Sequence, residues 1–181
     1  MSSLGQLAWR RAIGAVFHNP KLFEGTVCEN IHLGIANPHS PQVLDAARQA
    51  RIASFIETLP AGFDTQLSRG ELTLSAGQVQ RLAIARAVVR NPTLLLLDEA
   101  TANLDEDSER AIWEVIKGDA WQRTVVFATH RMKTSAKADR ILILDEGRVV
   151  EAGTFAELMA HAGRYFGLWQ RQCEPGMTKS S

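Results

Sequence analysis

Apolar and polar positions follow two rhythms along this chain, and each rhythm predicts an element. Val43, Leu44, Ala47 and Ala50 recur at helical spacing behind Ser40-Pro41, an N-cap residue followed by the proline that suits a first helical position. A second short helix is expected through Ile52, Phe55 and Ile56, closed by Pro60 and Gly62. Residues 75–90 hold helix formers throughout and stop at Asn91-Pro92, because a proline pushes the residue before it out of the helical region. Asp107 to Lys117 repeats the pattern, with Ile112, Val115 and Ile116 expected inward and Gly118 as the stop. Thr154-Phe-Ala-Glu157 is a capping box that opens a last helix carrying Leu158 and Met159.

Between these helical stretches lie short apolar or β-branched runs. They are Ile13 to Phe17, stopped by Asn19-Pro20, then Thr93 to Leu97, Thr124 to Ala128, Ile141 to Leu144, and Arg148 to Val150 beyond the turn at Gly147. The run ending at Leu97 has no polar alternate, so it is expected to be a strand covered on both faces, as in a parallel sheet. Strands alternating with helices predict an α/β fold with a parallel sheet. No internal repeat or low-complexity stretch occurs, and the tail from about Gln172, with its Pro, Gly and Ser, is expected to be loose.

Composition narrows the function classes. The length of 181 residues is about one ordinary domain, and 45% apolar with 22% charged residues leaves ample material for a core. Lys plus Arg is 20 and Asp plus Glu is 20, a balance that argues against a protein whose business is coating nucleic acid. Cys28 and Cys173 stand far apart with no CxxC or His-rich surroundings, so neither a disulfide scaffold nor a zinc site is suggested and a reducing compartment is expected. No apolar run approaches the ~20 residues that span a bilayer. MSSLGQLAWRRA lacks the apolar stretch of a signal peptide. The expected setting is cytosolic, with any membrane process served from outside the lipid.

Two local features carry candidate chemistry. The run LLLLDE places Asp98 and Glu99 at the end of a buried strand, where carboxylates are costly unless hydrated or paired. Ligands gather at the C-terminal ends of strands in open α/β sheets, and a carboxylate holding Mg²⁺ beside one polarising a water is what phosphoryl transfer to water needs. The plain alternative is a strand that ends in a charged turn. The second feature is LSAGQ, residues 74–78, where Ser75 and Gln78 form a capping box and Ala76 and Gly77 leave first-turn amides uncovered for an anion. Alone, it reads foremost as an ordinary capped helix.

Taken together, LSAGQVQRLAIARA, NPTLLLLDEATANLD and TVVFATHR resemble the ATPase subunit of an ABC transporter. LSAGQ resembles the family's LSGGQ signature with Ala76 in place of its first glycine. LLLLDE resembles the Walker B strand with its catalytic glutamate, Ala102-Asn-Leu-Asp105 the D-loop, and His130 the switch histidine. Upstream, IGAVFHNPKLFEGTVCENI resembles the Q-loop region of exporters, and RILILDEGRVVEAGTFAEL the closing strands and helix of the same group. The resemblance covers roughly residues 7 to 170.

It implies a P-loop NTPase-like parallel sheet flanked by helices, with a helical signature subdomain. Its parts are expected at 1–36 (Q-loop region), 37–91 (signature subdomain), 92–170 (Walker B, D-loop and switch histidine) and 171–181 (flexible tail). It also implies roles. Asp98 would bind Mg²⁺ through water, Glu99 would be the general base toward the attacking water, and His130 would hydrogen-bond the γ-phosphate of ATP. Asp105 would shape the dimer contact; as a bare residue it equally suits an N-cap. Two such domains close head to tail on two ATPs, so Ser75, Ala76, Gly77 and Gln78 would face the nucleotide of a second ABC ATPase domain. A membrane-spanning permease domain is the other implied partner, with the chain cytoplasmic at the inner membrane face.

The sequence departs from the family at three places. No G-x-x-x-x-G-K-[S/T] occurs in it, the loop that cradles the phosphates. Met1 to Leu7 is therefore expected to be an internal start, with the N-terminal strands and Walker A loop missing and the chain incompetent alone. The resemblance would set the absent strand between Thr124–Ala128 and Ile141–Leu144, so unpaired edges and marginal stability are expected. His18 stands where the family has the Q-loop glutamine, an oxygen ligand for Mg²⁺ that imidazole replaces poorly, and Arg69 stands where a glutamate is common. The expected function is a partial exporter nucleotide-binding domain, with ATP hydrolysis coupled to transport as the family's reaction. The alternatives are a non-catalytic module pairing with an intact ATPase domain, and an ABC-type ATPase working on nucleic acid, which zero net charge and LFEGTVCENI disfavour.

Overall fold

A computed structural model of the protein describes residues 12–33, 40–67, 74–101, 104, 106–117 and 123–174. Asp105 and Arg69 lie outside them, as does the side chain of Val115. The described chain divides into two compact units, one running to Ala128 and the other starting at Thr129.

In the first unit, β1 (Ile13–Val16), β2 (Leu94–Asp98) and β3 (Thr124–Ala128) form a parallel three-stranded sheet in that order. Register places Gly14, Leu95 and Val125 side by side, then Val16, Leu97 and Phe127 two residues on. These sets share one face, since side chains alternate along a strand. That face is closed: Leu95 is 0% exposed and Leu97 3%.

The opposite face differs from expectation. Leu94 and Leu96 are only half-buried, and Val126, level with Leu96, is 53% exposed. The strand read as covered on both faces is closed on one and only half-covered on the other.

Helices close the buried face. They are α1 (Val27–His32), α2 (Pro41–Gln49), α3 (Ala53–Glu57), α4 (Ala76–Val88) and α5 (Glu106–Lys117), with a short 3-10 turn at Gly62–Asp64. Val27, Ile31, Ile52, Ile56, Leu82 and Ile84 form their shared core. Backbone meets backbone where β1 crosses α4: a Cβ on Gly14 would sit 2.5 Å from the Ala87 carbonyl oxygen. Ile112 is buried on α5 as expected, joined by Trp113, whose ring packs edge-on at 4.7 Å against Phe127 of β3.

The second unit holds α6 (Met132–Ser135), β4 (Ile141–Asp145), β5 (Arg148–Gly153), α7 (Phe155–His161) and α8 (Arg164–Cys173). β4 and β5 form an antiparallel hairpin whose turn residues Glu146 and Gly147 have φ of 46° and 74°, as a tight primed turn requires. A register shift between Ile143 and Leu144 leaves Val150 as the extra residue. Thr154 and Glu157 form the expected capping box, and Leu158 beyond it is buried. Phe155, Tyr165 and Trp169 stack into a small aromatic core, where the Ser135 and Tyr165 hydroxyls lie 3.0 Å apart. Gln172, expected in a loose tail, is instead in α8: its amide donates to the His130 carbonyl at 2.9 Å and accepts from the Met132 amide at 3.1 Å.

Candidate functional site

Because β1 and β2 run parallel and in register, the residues that follow them emerge at the same edge of the sheet. Asp98 ends β2 with its side chain exposed. Glu99 turns away with φ +47°, a left-handed conformation that non-glycine residues rarely adopt, while its amide still donates to the Ala128 carbonyl at 3.0 Å. His18, two residues beyond β1, brings Nδ1 to 3.5 Å from Glu99 Oε2, with the side chains 41% and 36% exposed. Nδ1 itself is closed off from solvent. At 3.5 Å the two groups are within ion-pair range but do not meet hydrogen-bond geometry here, and catalytic hydrogen bonds are commonly long or poorly aligned until substrate binds.

The N-terminus of α4 supplies the second feature. Ser75 Oγ accepts from the Gln78 amide at 3.2 Å and Gln78 Oε1 from the Ser75 amide at 2.8 Å, completing the expected capping box. The Ala76 and Gly77 amides have no intrahelical acceptor, and the helix dipole makes this end attractive to an anion. Exposed Ser75 and Ala76 and half-buried Gly77 leave it open to approach.

Further along α4, a half-buried cation fixes the segment behind His18. Arg86 Nε donates to the Asn30 carbonyl at 2.7 Å, one terminal nitrogen to Asn30 Oδ1 at 2.8 Å and the other to the Lys21 carbonyl at 2.8 Å. Its guanidinium lies 5.0 Å from the centre of the Phe23 ring. Burial pulls the pKa of Arg86 below its ordinary value. Asn30, fully buried, also accepts from the Phe23 amide at 3.1 Å and donates to the Phe23 and Thr26 carbonyls, each at 3.0 Å. All of its amide's hydrogen-bonding capacity is thus used. Reading of the sequence singled out neither residue for this, since a polar side chain pairing across so many residues leaves no periodic trace.

The fold therefore brings His18 and Glu99 together beside Asp98, and gathers Ser75, Ala76, Gly77 and Gln78 on one helix end. His130 belongs to the second unit, where its side chain is exposed. Among the described residues no group of three or more acidic, His or Cys side chains is placed to hold a metal. Mg²⁺ in phosphoryl transfer takes one or two carboxylates and completes its shell from phosphates and water. Asp98, exposed at the strand end, is the donor that fits. No helix among the described residues is long and apolar enough to cross a membrane.

A family profile described as ABC transporter matches residues 3–102. ABC transporter B family member 13 of Arabidopsis thaliana is 44% identical over 161 residues, covering 88% of this chain and 13% of that protein. The heterocyst differentiation ATP-binding protein HepA of a Nostoc species is 41% identical over 171 residues, 94% of this chain and 28% of that one. A solved structure described as a bacterial Atm1-family ABC exporter with ATP bound superposes with a TM-score of 0.84 at 41% identity, over 93% of this chain and 29% of that one. The chain thus spans less than a third of the length of each of these relatives.

Proposed function

This chain belongs to the ABC transporter family and has its ATPase fold; on that premise we propose that it is the C-terminal part of an exporter-type nucleotide-binding domain, hydrolysing ATP to drive transport. The observation that carries the reading is the edge where Asp98 and Glu99 end β2 with His18 Nδ1 3.5 Å from Glu99 Oε2. Carboxylates at the C-terminal rim of a parallel sheet, one free to bind a cation and one aimed by a neighbour, suit phosphoryl transfer to water.

In this reading Asp98 holds Mg²⁺ through water. The ion, when bound, would supply positive charge against the charge that develops during transfer. Glu99 accepts the proton of the attacking water, and His130 donates a hydrogen bond to the γ-phosphate. Ser75 and the Ala76 and Gly77 amides, with Gln78 closing the helix cap, meet the γ-phosphate of a nucleotide held mainly by a second ABC ATPase domain, head to tail. Asp105 shapes the contact between the two domains. A membrane-spanning permease domain receives the motion, with the chain at the cytoplasmic face.

The 181 residues contain no G-x-x-x-x-G-K-[S/T], so the loop that cradles the phosphates is supplied from outside them. The chain by itself is then a poor ATPase and a donor of signature, Mg²⁺ and base elements. The second reading, a non-catalytic module that completes or blocks a site on an intact ATPase domain, draws on the same open N-terminus of α4.

The test mixes the purified chain with MgATP, alone and with an intact exporter-type ATPase domain. Negligible turnover alone, and a changed rate in the mixture that Ser75→Ala weakens, is the expected result. Turnover at an ordinary ATPase rate by the chain alone, abolished by Glu99→Gln, overturns the need for an outside phosphate loop. No nucleotide binding and no effect in any mixture overturns the ATPase reading.

A further inference from the structure

We propose that His18 is a positioning residue for Glu99, orienting the carboxylate through Nδ1–H, and that it is not a ligand of the metal. The inference rests on the reading of Glu99 as the base toward water. It starts from a mismatch of donor chemistry: a hard cation such as Mg²⁺ selects oxygen ligands, and His18 offers imidazole nitrogen. The geometry gives that nitrogen another task. Nδ1 is shut away from solvent and faces Glu99 Oε2 at 3.5 Å.

Glu99 arrives from the other side with its direction already restricted. Its backbone sits at φ +47°, and its amide is tied to the Ala128 carbonyl at 3.0 Å. A left-handed backbone sends Cβ off the line of the strand, and the carboxylate meets His18, two residues beyond β1. A base held by a third group is the general form of an activated catalytic pair. Here the imidazole is the holder and the carboxylate the base. The proton of Nδ1 stays on the ring while Oε2 is held, which leaves Oε1 to take the proton from water.

His18 is itself held from behind. Pro20 follows it closely, and the segment from Lys21 to Asn30 is fastened to α4 by Arg86, whose hydrogen bonds reach the Lys21 carbonyl and both oxygens of Asn30. The ring thus hangs between the end of β1 and an anchored loop.

Which ring nitrogen carries the proton is set by the partner that the nitrogen meets, so the tautomer reports the contact directly. The 181-residue chain, labelled with ¹⁵N at histidine, is read by long-range ¹H–¹⁵N correlation at about pH 8.5, above the ordinary imidazole range. It is read alone if folded, and otherwise bound to the intact partner domain. His18 is expected as the Nδ1–H tautomer, against the Nε2–H form that free imidazole prefers. Glu99→Ala, which removes the acceptor, returns the ring to the ordinary mixture; Glu99→Gly, native to the left-handed backbone, serves where the alanine variant does not fold. His18→Asn places an amide nitrogen near the Nδ1 position and keeps the Glu99 side chain ordered by ¹³C relaxation, whereas His18→Leu frees it. An Nε2–H ring in the parent chain, or a tautomer indifferent to residue 99, overturns the proposal. Failure of the ATPase reading shows separately, as a mixture without nucleotide effects while the Nδ1–H tautomer stands.

Discussion

Asn30 and Arg86, 56 residues apart in sequence, share a single hydrogen-bonded knot: the guanidinium donates to the Asn30 carbonyl at 2.7 Å and to its side-chain oxygen at 2.8 Å. Asn30→Ala removes a side-chain acceptor from a half-buried cation and leaves the Phe23 amide and carbonyl without their side-chain partner, while the Thr26 carbonyl keeps the residue-30 backbone amide. Hydrogen bonds to charged groups are worth about 1.5–3 kcal/mol. A loss of about 2–4 kcal/mol is therefore expected, seen as a lower urea midpoint and faster amide exchange at Phe23. Arg86→Lys is expected to fall nearly as far, because one ammonium cannot span three acceptors in a planar fork.

Gly14 tests the seat of the site from below. Its missing Cβ would lie 2.5 Å from the Ala87 carbonyl oxygen and 3.0 Å from Pro92 Cγ, and neither the helix backbone nor the ring can swing aside. Gly14→Ala is expected to destabilise by about 1–3 kcal/mol through overpacking, with α4 displaced from β1. A urea midpoint equal to that of the parent chain argues against so tight an approach.

Acid should loosen the second unit through Glu151. That carboxylate accepts the Tyr165 amide at 2.9 Å and the Arg164 amide beside it, capping α8 from β5. The Tyr165 bond above all, then the Arg164 bond, pulls its pKa below the ordinary value of 4.5. A group with a depressed folded pKa stabilises above its unfolded pKa and loses that contribution as pH falls through the folded one. Thermal stability should hold from neutrality to about pH 5 and then decline on acidification. In Glu151→Gln this part of the acid slope should be absent, which melting curves between pH 7 and 3 would reveal.

The half-open faces predict how the chain behaves in solution. Val126 is 53% exposed, and on the hairpin Leu142 is 57% and Leu144 70% exposed. Among the described residues β3 pairs only with β2, and β4 only with β5. Exposed apolar faces and open strand edges invite association. The isolated chain is expected to aggregate on heating, with Val126→Thr and Leu144→Glu together raising the soluble fraction at a stability change within about 0.5 kcal/mol. A sharp, reversible melt of parent monomer would contradict this.

Much of the fold was legible from local chemistry. Ser75 with Gln78 and Thr154 with Glu157 opened helices where capping boxes stood, and the apolar run before Asp98 became a central parallel strand. Two missed helices had usable signals. Thr26 and Glu29 carry a capping box ahead of α1, but six residues are too few to display a period. Tyr165, Leu168, Trp169 and Gln172 repeat at helical spacing along α8, yet the polar residues and Gly167 among them disguised it. The candidate site was less legible. Asp98, Glu99 and His18 were each singled out, but their meeting depends on strand register, which is tertiary information. The covering of Leu94 and Leu96 was overestimated because an apolar run records what a strand can bury rather than what lies above it.

Glu99 stands in a left-handed turn that glycine would adopt freely. A β-carbon there costs about 1–2 kcal/mol. Glu99→Gly should therefore yield a chain that withstands denaturant as well as its parent or better, while abolishing any reaction that depends on the carboxylate. If Glu99 is the proposed base, chemistry and durability pull in opposite directions at this one position, and a screen for robust variants would tend to discard it.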